Sequence, residues 1–241
     1  MNIRNTVREE LERLAPGSIV TYKDFAVPSA SLPTLVKALS SFYRQGMLGK
    51  ITKSLYYKPR PSEFGPLKPS TTLLLDYLLK EQKQAIAYLT GTNTYNALRL
   101  TTQLSTEYVI ATDRPRTAIK IGGTTIRFVQ ARLKKAPSLP FLAQLLDAMQ
   151  NIKDIPDTSS TQAALVFFGH IKQLESEKRQ ELVEMALAYS PATRVLLGIL
   201  FEQLGETFLA KKLQRTLNPI STYKLRLDFS KFPTSLRWNM A

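Results

Sequence analysis

The sequence contains no cysteine and a single histidine, His170. The first absence excludes a disulfide scaffold, a cysteine nucleophile and any cysteine-ligated zinc or iron–sulfur centre. The second excludes a clustered-histidine metal site and argues against a serine triad. His170 follows Val166, Phe167, Phe168 and Gly169 in an apolar helical run, which points to a packed imidazole rather than a base. Glycine (10) and proline (14) are too few and too irregular for a collagen-like or low-complexity chain. Long hydrophobic runs are missing as well. The most apolar stretches, around Leu73–Leu79 and Val195–Phe201, are the length of core helices and too short for a bilayer span. The opening residues, MNIRNTVREELERL, are charged throughout and lack the apolar segment of a signal peptide, so a cytoplasmic protein is expected.

Enzyme signatures are equally scarce. Thr90-Gly91-Thr92 is not followed by the Gly-Lys-Ser/Thr ending of a phosphate-binding loop. Gly122-Gly123 sits between two strands, not between a strand and a helix, so it does not read as a dinucleotide site. A carboxylate-pair nuclease needs a second acid near Asp113, and the next one is Asp147. We expect no enzymatic activity, no cofactor and no metal.

Positive charge is abundant. The 241 residues carry 33 Lys+Arg against 19 Asp+Glu, a formal net charge of +14. With 44% hydrophobic residues the chain can still bury a core. The charge is unevenly spread: residues 1–60 hold 10 basic and 4 acidic side chains, and residues 61–135 hold 11 and 5. The remainder is nearly neutral. A basic front half suggests a surface that meets a polyanion.

Residues 1–60 read as a winged helix-turn-helix. Ile3, Val7, Leu11 and Leu14 predict an amphipathic helix over 2–14, stopped by Pro16-Gly17. Thr21 to Asp24 has the spacing of a capping box and opens a short second helix that ends at Pro28-Ser29. A third helix begins near Ser31, with Pro33 in its first turn. Its apolar stripe is Leu32, Leu35, Val36, Leu39 and Phe42, and Gly46 is placed to end it. Residues 50–58 then read as a hairpin. Ile51, Leu55 and Tyr57 point inward there, and Lys50, Lys53 and Lys58 point outward. In this reading Ser31, Thr34, Lys37 and Ser41 face DNA bases, and Arg44, Lys50, Lys53 and Tyr56 reach its backbone. The bland alternative is a small domain that binds protein.

The four prolines between Pro59 and Pro69 suggest a stiff linker over 61–70. Residues 71–135 read as a small α/β segment. A helix begins at Leu73–Leu79, followed by strands at Ala85–Leu89, Tyr108–Ala111, Ala118–Ile121 and Thr125–Gln130, with a short helix at Thr94–Leu100. Arg114 and Arg116, after the second of these strands, extend the candidate phosphate-binding face, with Lys134 and Lys135 beyond.

Four pieces in this order resemble the AbiEi-type antitoxin family, the regulators of type IV toxin–antitoxin systems. Val36 to Leu48 (VKALSSFYRQGML) is similar to the family's recognition helix, and Ser54 to Pro59 (SLYYKP) to its last wing strand, with Ser54 at a usual glycine. Leu89 to Gln103 (LTGTNTYNALRLTTQ) resembles the family signature, with Arg99 at a second usual glycine. Tyr108 to Arg116 and Ile119 to Phe128 resemble the strands that follow. The resemblance implies a DNA-binding transcriptional regulator that represses its own operon. Its genetic partner would be a nucleotidyltransferase-like toxin, opposed without a stable complex.

Residues 136–241 read as five helices and a terminal strand. The helices fall at Leu139–Gln150, Ser159–Leu174, Glu175–Tyr189, Ala192–Leu204 and Phe208–Leu217, and the strand at Tyr223–Phe229. The stretch Val195–Phe201 serves either as the core of this part or as a dimer contact. The expected fold is therefore α+β: a winged helix-turn-helix (1–60), a linker (61–70), a small α/β domain (71–135) and a mainly helical C-terminal domain (136–241). The expected partner is double-stranded DNA, bound by a monomer or a homodimer.

Overall fold

A computed structural model describes residues 3–81 and 86–240. Asn2 and Ala85, expected at the start of a helix and of a strand, lie outside the described residues. The chain is a mixed α+β protein whose N-terminal half combines strands and helices and whose C-terminal half is mostly helical. It gathers into two compact units, Met1–Lys83 with Ile119–Thr124, and Gln84–Ala118 with Thr125–Ala241.

In the first unit, α1 (Ile3–Arg13) buries Val7 and Leu11 on one side. After β1 (Ile19–Val20) the Thr21–Asp24 capping box forms as expected: the Thr21 N–H donates to Asp24 Oδ2 at 2.6 Å, and the Lys23 N–H donates to Thr21 Oγ1 at 3.2 Å. It closes a single 3-10 turn, Tyr22–Asp24, and not the short helix expected there. A second 3-10 turn at Ser29–Ser31 leads into α2 (Leu32–Arg44), so Pro28 opens a turn where an end was expected. Only two residues separate Phe25 from Pro28, too few for a further helical turn before the proline ring restricts the backbone.

The end of α2 is a Schellman motif. Met47 N–H donates to Phe42 O and Gly46 N–H to Tyr43 O, both at 3.0 Å, with Gly46 at φ +78°. The strands β2 (Gly49–Lys50) and β3 (Tyr56–Tyr57) follow, and the three short strands form an antiparallel sheet in the order β1-β3-β2. Gly49 pairs with Tyr57, whose ring lies where a Cβ on residue 49 would have to stand. Val7, Leu11, Val20, Leu35, Leu39, Phe42, Leu48 and Tyr56 share one core.

The proline-rich segment 61–70 falls inside this unit and is not a stiff spacer. It folds back on itself: Leu67 N–H donates to Arg60 O at 2.9 Å, and the Ser62 hydroxyl to Gly65 O at 2.6 Å. Next comes α3 (Thr71–Lys80), capped by Ser70.

The second unit carries β4 (Ala87–Thr90), α4 (Thr92–Ala97) and β5 (Glu107–Thr112). After β6 (Ile119–Ile121), which groups with the first unit, the turn at Gly122-Gly123 leads into β7 (Thr124–Gln130). β5 pairs antiparallel with β4 and parallel with β7. Helix α4 ends in a second Schellman motif, with Leu100 N–H on Tyr95 O and Arg99 N–H on Asn96 O, both at 2.9 Å. Here the left-handed position, φ +61°, is held by Arg99. This backbone shape costs an L-residue energy that glycine avoids.

The helices α5 (Pro140–Gln150), α6 (Ser160–Lys172), α7 (Ser176–Ala186), α8 (Pro191–Gln203) and α9 (Thr207–Gln214) complete the unit. Leu139, expected as the first residue of this helix, precedes α5 as its N-cap and is exposed. Val195, Leu196, Leu197, Ile199, Leu200 and Phe201 are fully buried within the chain, so the apolar run of α8 is core and not a dimer surface. Tyr223–Phe229 is not a strand. Tyr223, Leu225 and Leu227 alternate inward, but Arg226 adopts φ +56° and the sole bridge pairs Tyr223 with Met240. Alternating burial alone does not make a ladder, since the backbone must also stay extended beside a partner strand. The tail instead returns to place Trp238 against Gly198 of α8, where a Cβ would overlap the indole ring. Trp238 Nε1–H donates to Glu202 Oε2 at 2.7 Å.

Two outcomes follow. Gly198→Ala forces the indole out of its notch and is expected to lower stability by about 1–3 kcal/mol, the usual cost of overpacking a core. Trp238 is the protein's only tryptophan, so its emission should shift to the red in the same variant. Arg99→Gly relieves the left-handed position and is expected to stabilise by about 0.5–1 kcal/mol, the αL penalty less the added freedom of the unfolded glycine. Denaturant titration measures both changes, and a neutral or destabilising Arg99→Gly would mean that Arg99 makes up for its backbone cost.

Candidate nucleic-acid interface

Helix α2 turns one face into the core through Leu35, Ala38, Leu39 and Phe42. That fixes which residues turn outward. At 3.6 residues per turn Thr34, Lys37, Ser41 and Arg44 fall within an arc of about 80° on the opposite side. Thr34, Lys37 and Arg44 are exposed and Ser41 is half-buried. Lys37 has no hydrogen-bond or ion-pair partner among the described residues. The Ser41 hydroxyl accepts from Gln45 Nε2 at 3.0 Å, and Arg44 Nε leans back on Ser40 O at 3.5 Å. Ser31 stands at the helix start, but its side chain does not cap it.

The same outward side is less polar than the sequence suggests. Val36, assigned to the buried stripe, is 48% exposed, and Tyr43 is 42% exposed. The stripe is narrower than expected: it centres on Leu35 and Phe42, and Val36, about 100° or more round the helix from both, falls beyond the packed seam.

Beside α2 the β2–β3 hairpin carries Lys50 and Lys53. Lys50 Nζ stands 5.6 Å from the Tyr43 ring centre and 5.9 Å from that of Tyr56, a cation held between two aromatic faces. Lys53, in the connecting turn, is exposed and has no partner among the described residues. Two sequence assignments in this hairpin require correction. Tyr56 is only 4% exposed and belongs to the core, so its ring cannot reach a nucleic-acid backbone. Lys58 is not an outward cation. Its ammonium donates to the carbonyls of Leu11, Glu12 and Leu14, at 2.9, 2.9 and 2.6 Å, and closes the C-terminal end of α1.

Arg114 and Arg116 lie in the second unit, on the loop after β5. Arg114 is exposed and 4.0 Å from Asp113, and Arg116 stacks over the Phe128 ring at 4.7 Å. Lys134 and Lys135 of that unit are exposed. His170 Nε2 is 3.0 Å from Leu98 O, with its ring edge-on to Phe141, a packed and satisfied imidazole. Among the described residues no cluster of His, Asp or Glu has the makings of a metal site, and no helix is long and apolar enough to cross a membrane.

The fold has a counterpart among solved structures. The crystal structure of the RV2827C protein from Mycobacterium tuberculosis superposes with a TM-score of 0.50, at 14% sequence identity, over 92% of this chain and 84% of that one. At that identity the likeness is one of fold. No curated protein matches the sequence. A family model does match, over residues 6–182, which is most of the chain. The protein belongs to DUF6088, a family of unknown function.

Proposed function

We propose that the first unit is a winged helix-turn-helix that binds double-stranded DNA, and that the protein is a transcriptional regulator. The observation that carries this reading is the outward side of α2, with Thr34 and the unpartnered Lys37, next to a hairpin that presents Lys50 and Lys53. The sheet order β1-β3-β2, with α2 entering the hairpin, matches the chain path a wing requires. In such a head the helix enters the major groove, which is about 12 Å wide and admits one helix, while the hairpin lies along the backbone. Thr34, Lys37 and Ser41 read base edges, and Arg44, Lys50 and Lys53 hold phosphates. The resemblance to AbiEi-type antitoxins extends the reading to an autoregulating antitoxin, encoded with a nucleotidyltransferase-like toxin that it opposes without a stable complex.

A second reading has its own observation. Val36 and Tyr43 give the outward side of α2 an apolar share suited to a protein partner.

Fluorescence anisotropy with a duplex from the gene's own upstream region, beside a random duplex, tests the first reading. Affinity should fall by orders of magnitude between about 50 and 200 mM salt as phosphate-bound counterions are released. Lys37→Ala should cost about 1–3 kcal/mol on the specific duplex and little on the random one. Lys53→Ala should weaken both alike and flatten the salt slope by roughly one unit. Absence of binding to either duplex at about 50 mM salt rejects the DNA reading.

A further inference from the structure

The second unit buries a carboxylate for which the DNA reading has no use. Asp147, on α5, is 8% exposed and faces the sheet. Its Oδ1 accepts from the Tyr189 hydroxyl at 2.8 Å. Among the described residues no Lys or Arg comes within ion-pair distance of it. Burial drives its carboxyl above the usual range, and the Tyr189, Thr90 and Tyr88 hydroxyls, with Arg132, offset only part of that. An incompletely compensated buried charge is expensive and calls for a donor.

The surroundings show where a donor would come from. Asp147 borders a cavity of about 270 Å³ that it shares with Tyr88, Thr90, Tyr95, Asn151 and Arg132. Tyr88 is 1% exposed, and its hydroxyl, which interacts with Asp147 and Tyr189, makes no well-aligned hydrogen bond among the described residues. A buried hydroxyl without a well-aligned partner is costly to the fold, so it too can take one up. The cations at this cavity differ. Arg127 is bound to Glu107 at 2.9 Å. Arg132 has no carboxylate partner among the described residues, and its guanidinium rests 6.0 Å over the Tyr189 ring. The cavity thus has an acidic floor with a poorly satisfied hydroxyl, aromatic walls and a guanidinium that no carboxylate holds at ion-pair distance among the described residues.

We propose that this cavity binds a small ampholyte, a molecule that presents N–H donors to Asp147 and an acid group to Arg132. Its volume is on the scale of a small metabolite such as a single amino acid or a nucleoside monophosphate. In both classes one end is an amine or amino-heterocycle and the other a carboxylate or phosphate. The N–H end takes the free lone pairs of Asp147 and can accept from the Tyr88 hydroxyl through a ring nitrogen, carbonyl or bridging water. The acid end meets the guanidinium fork. This site does not depend on the DNA reading, and its test contains no DNA.

The full-length protein is screened by thermal shift and calorimetry against two panels, the standard α-amino acids and the four ribonucleoside monophosphates. Binding within one panel names the source. The bound compound is then titrated into Asp147→Asn, which keeps the shape and the acceptor for Tyr189, and into Arg132→Gln, a change at an exposed side chain. Circular dichroism and Trp238 emission check that each variant is folded. The expected result is an affinity loss of at least about tenfold in each, on the scale of one charge-assisted hydrogen bond. If Asp147→Asn does not fold, Arg132→Gln decides. No binding in either panel overturns the proposal, as does binding that either folded variant leaves unchanged.

Discussion

A helix that ends inside a folded protein leaves carbonyl oxygens with nothing to accept from, and this chain closes such ends with cations from far away in sequence. Lys58 gives its ammonium to three carbonyls at the end of α1, 44 to 47 residues earlier. The backbone of the same residue exchanges hydrogen bonds with Gly17 and Ser18, which ties the end of β3 to the chain leaving α1. Arg179 closes α6 from nearer by, only 7 and 8 residues on, donating to Lys172 O and Ile171 O while it pairs with Glu206 at 2.6 Å. Arg194 reaches Thr216 O just past α9. The sign is the favourable one, because the C-terminal end of a helix carries the negative pole of its dipole.

This constraint changes the meaning of a net charge of +14. A cation spent on a helix end is withdrawn from the surface whatever its sequence neighbours suggest. Lys58 sits between Tyr57 and Pro59 in what reads as a basic hairpin, and it contributes nothing to that hairpin's outer face. Lys37 and Lys53 remain without partners among the described residues, and Lys50 is held over two rings without losing its charge. The outer face of the β2–β3 hairpin therefore carries fewer free cations than its sequence implies.

What was legible in the sequence was whatever a single segment decides. The periodicity of Leu35, Leu39 and Phe42, the Thr21–Asp24 capping box and the stop at Gly46 are local, and they formed where expected. Misreadings fell where distant residues decide. The alternation of Tyr223–Phe229 is that of a strand, but no partner strand lies beside it and the tail is fixed by Trp238 against Gly198. Adjacent tyrosines in a strand normally face opposite sides, yet Tyr56 and Tyr57 are both buried, because one enters the core and the other lies over Gly49. Prolines 59 to 69 suggested a rod, but the turn around Gly65 closed them into a loop. Asp147 carried no signal at all. It lies in an apolar helix pattern, and its partners Tyr88 and Tyr189 come from β4 and from the turn after α7.

The two candidate sites rest on the same kind of evidence, polar groups whose partners within the fold can be named or found wanting. On α2 the test is applied to exposed cations, where lacking a partner is ordinary and gains meaning only from company. Lys37 is informative because the core fixes its direction and because Lys50 and Lys53 stand on the adjoining hairpin. At Asp147 the groups are buried, and there an absent partner is costly in itself. Water satisfies a surface lysine at no expense to the fold, whereas the Tyr88 hydroxyl and the Asp147 carboxylate have given up water and recovered only part of what it supplied. A chain that retains such a cluster, where Phe, Leu and Asn would pack as well, holds destabilising polarity in its core. Natural proteins bear that cost where a ligand, when present, completes the hydrogen bonds.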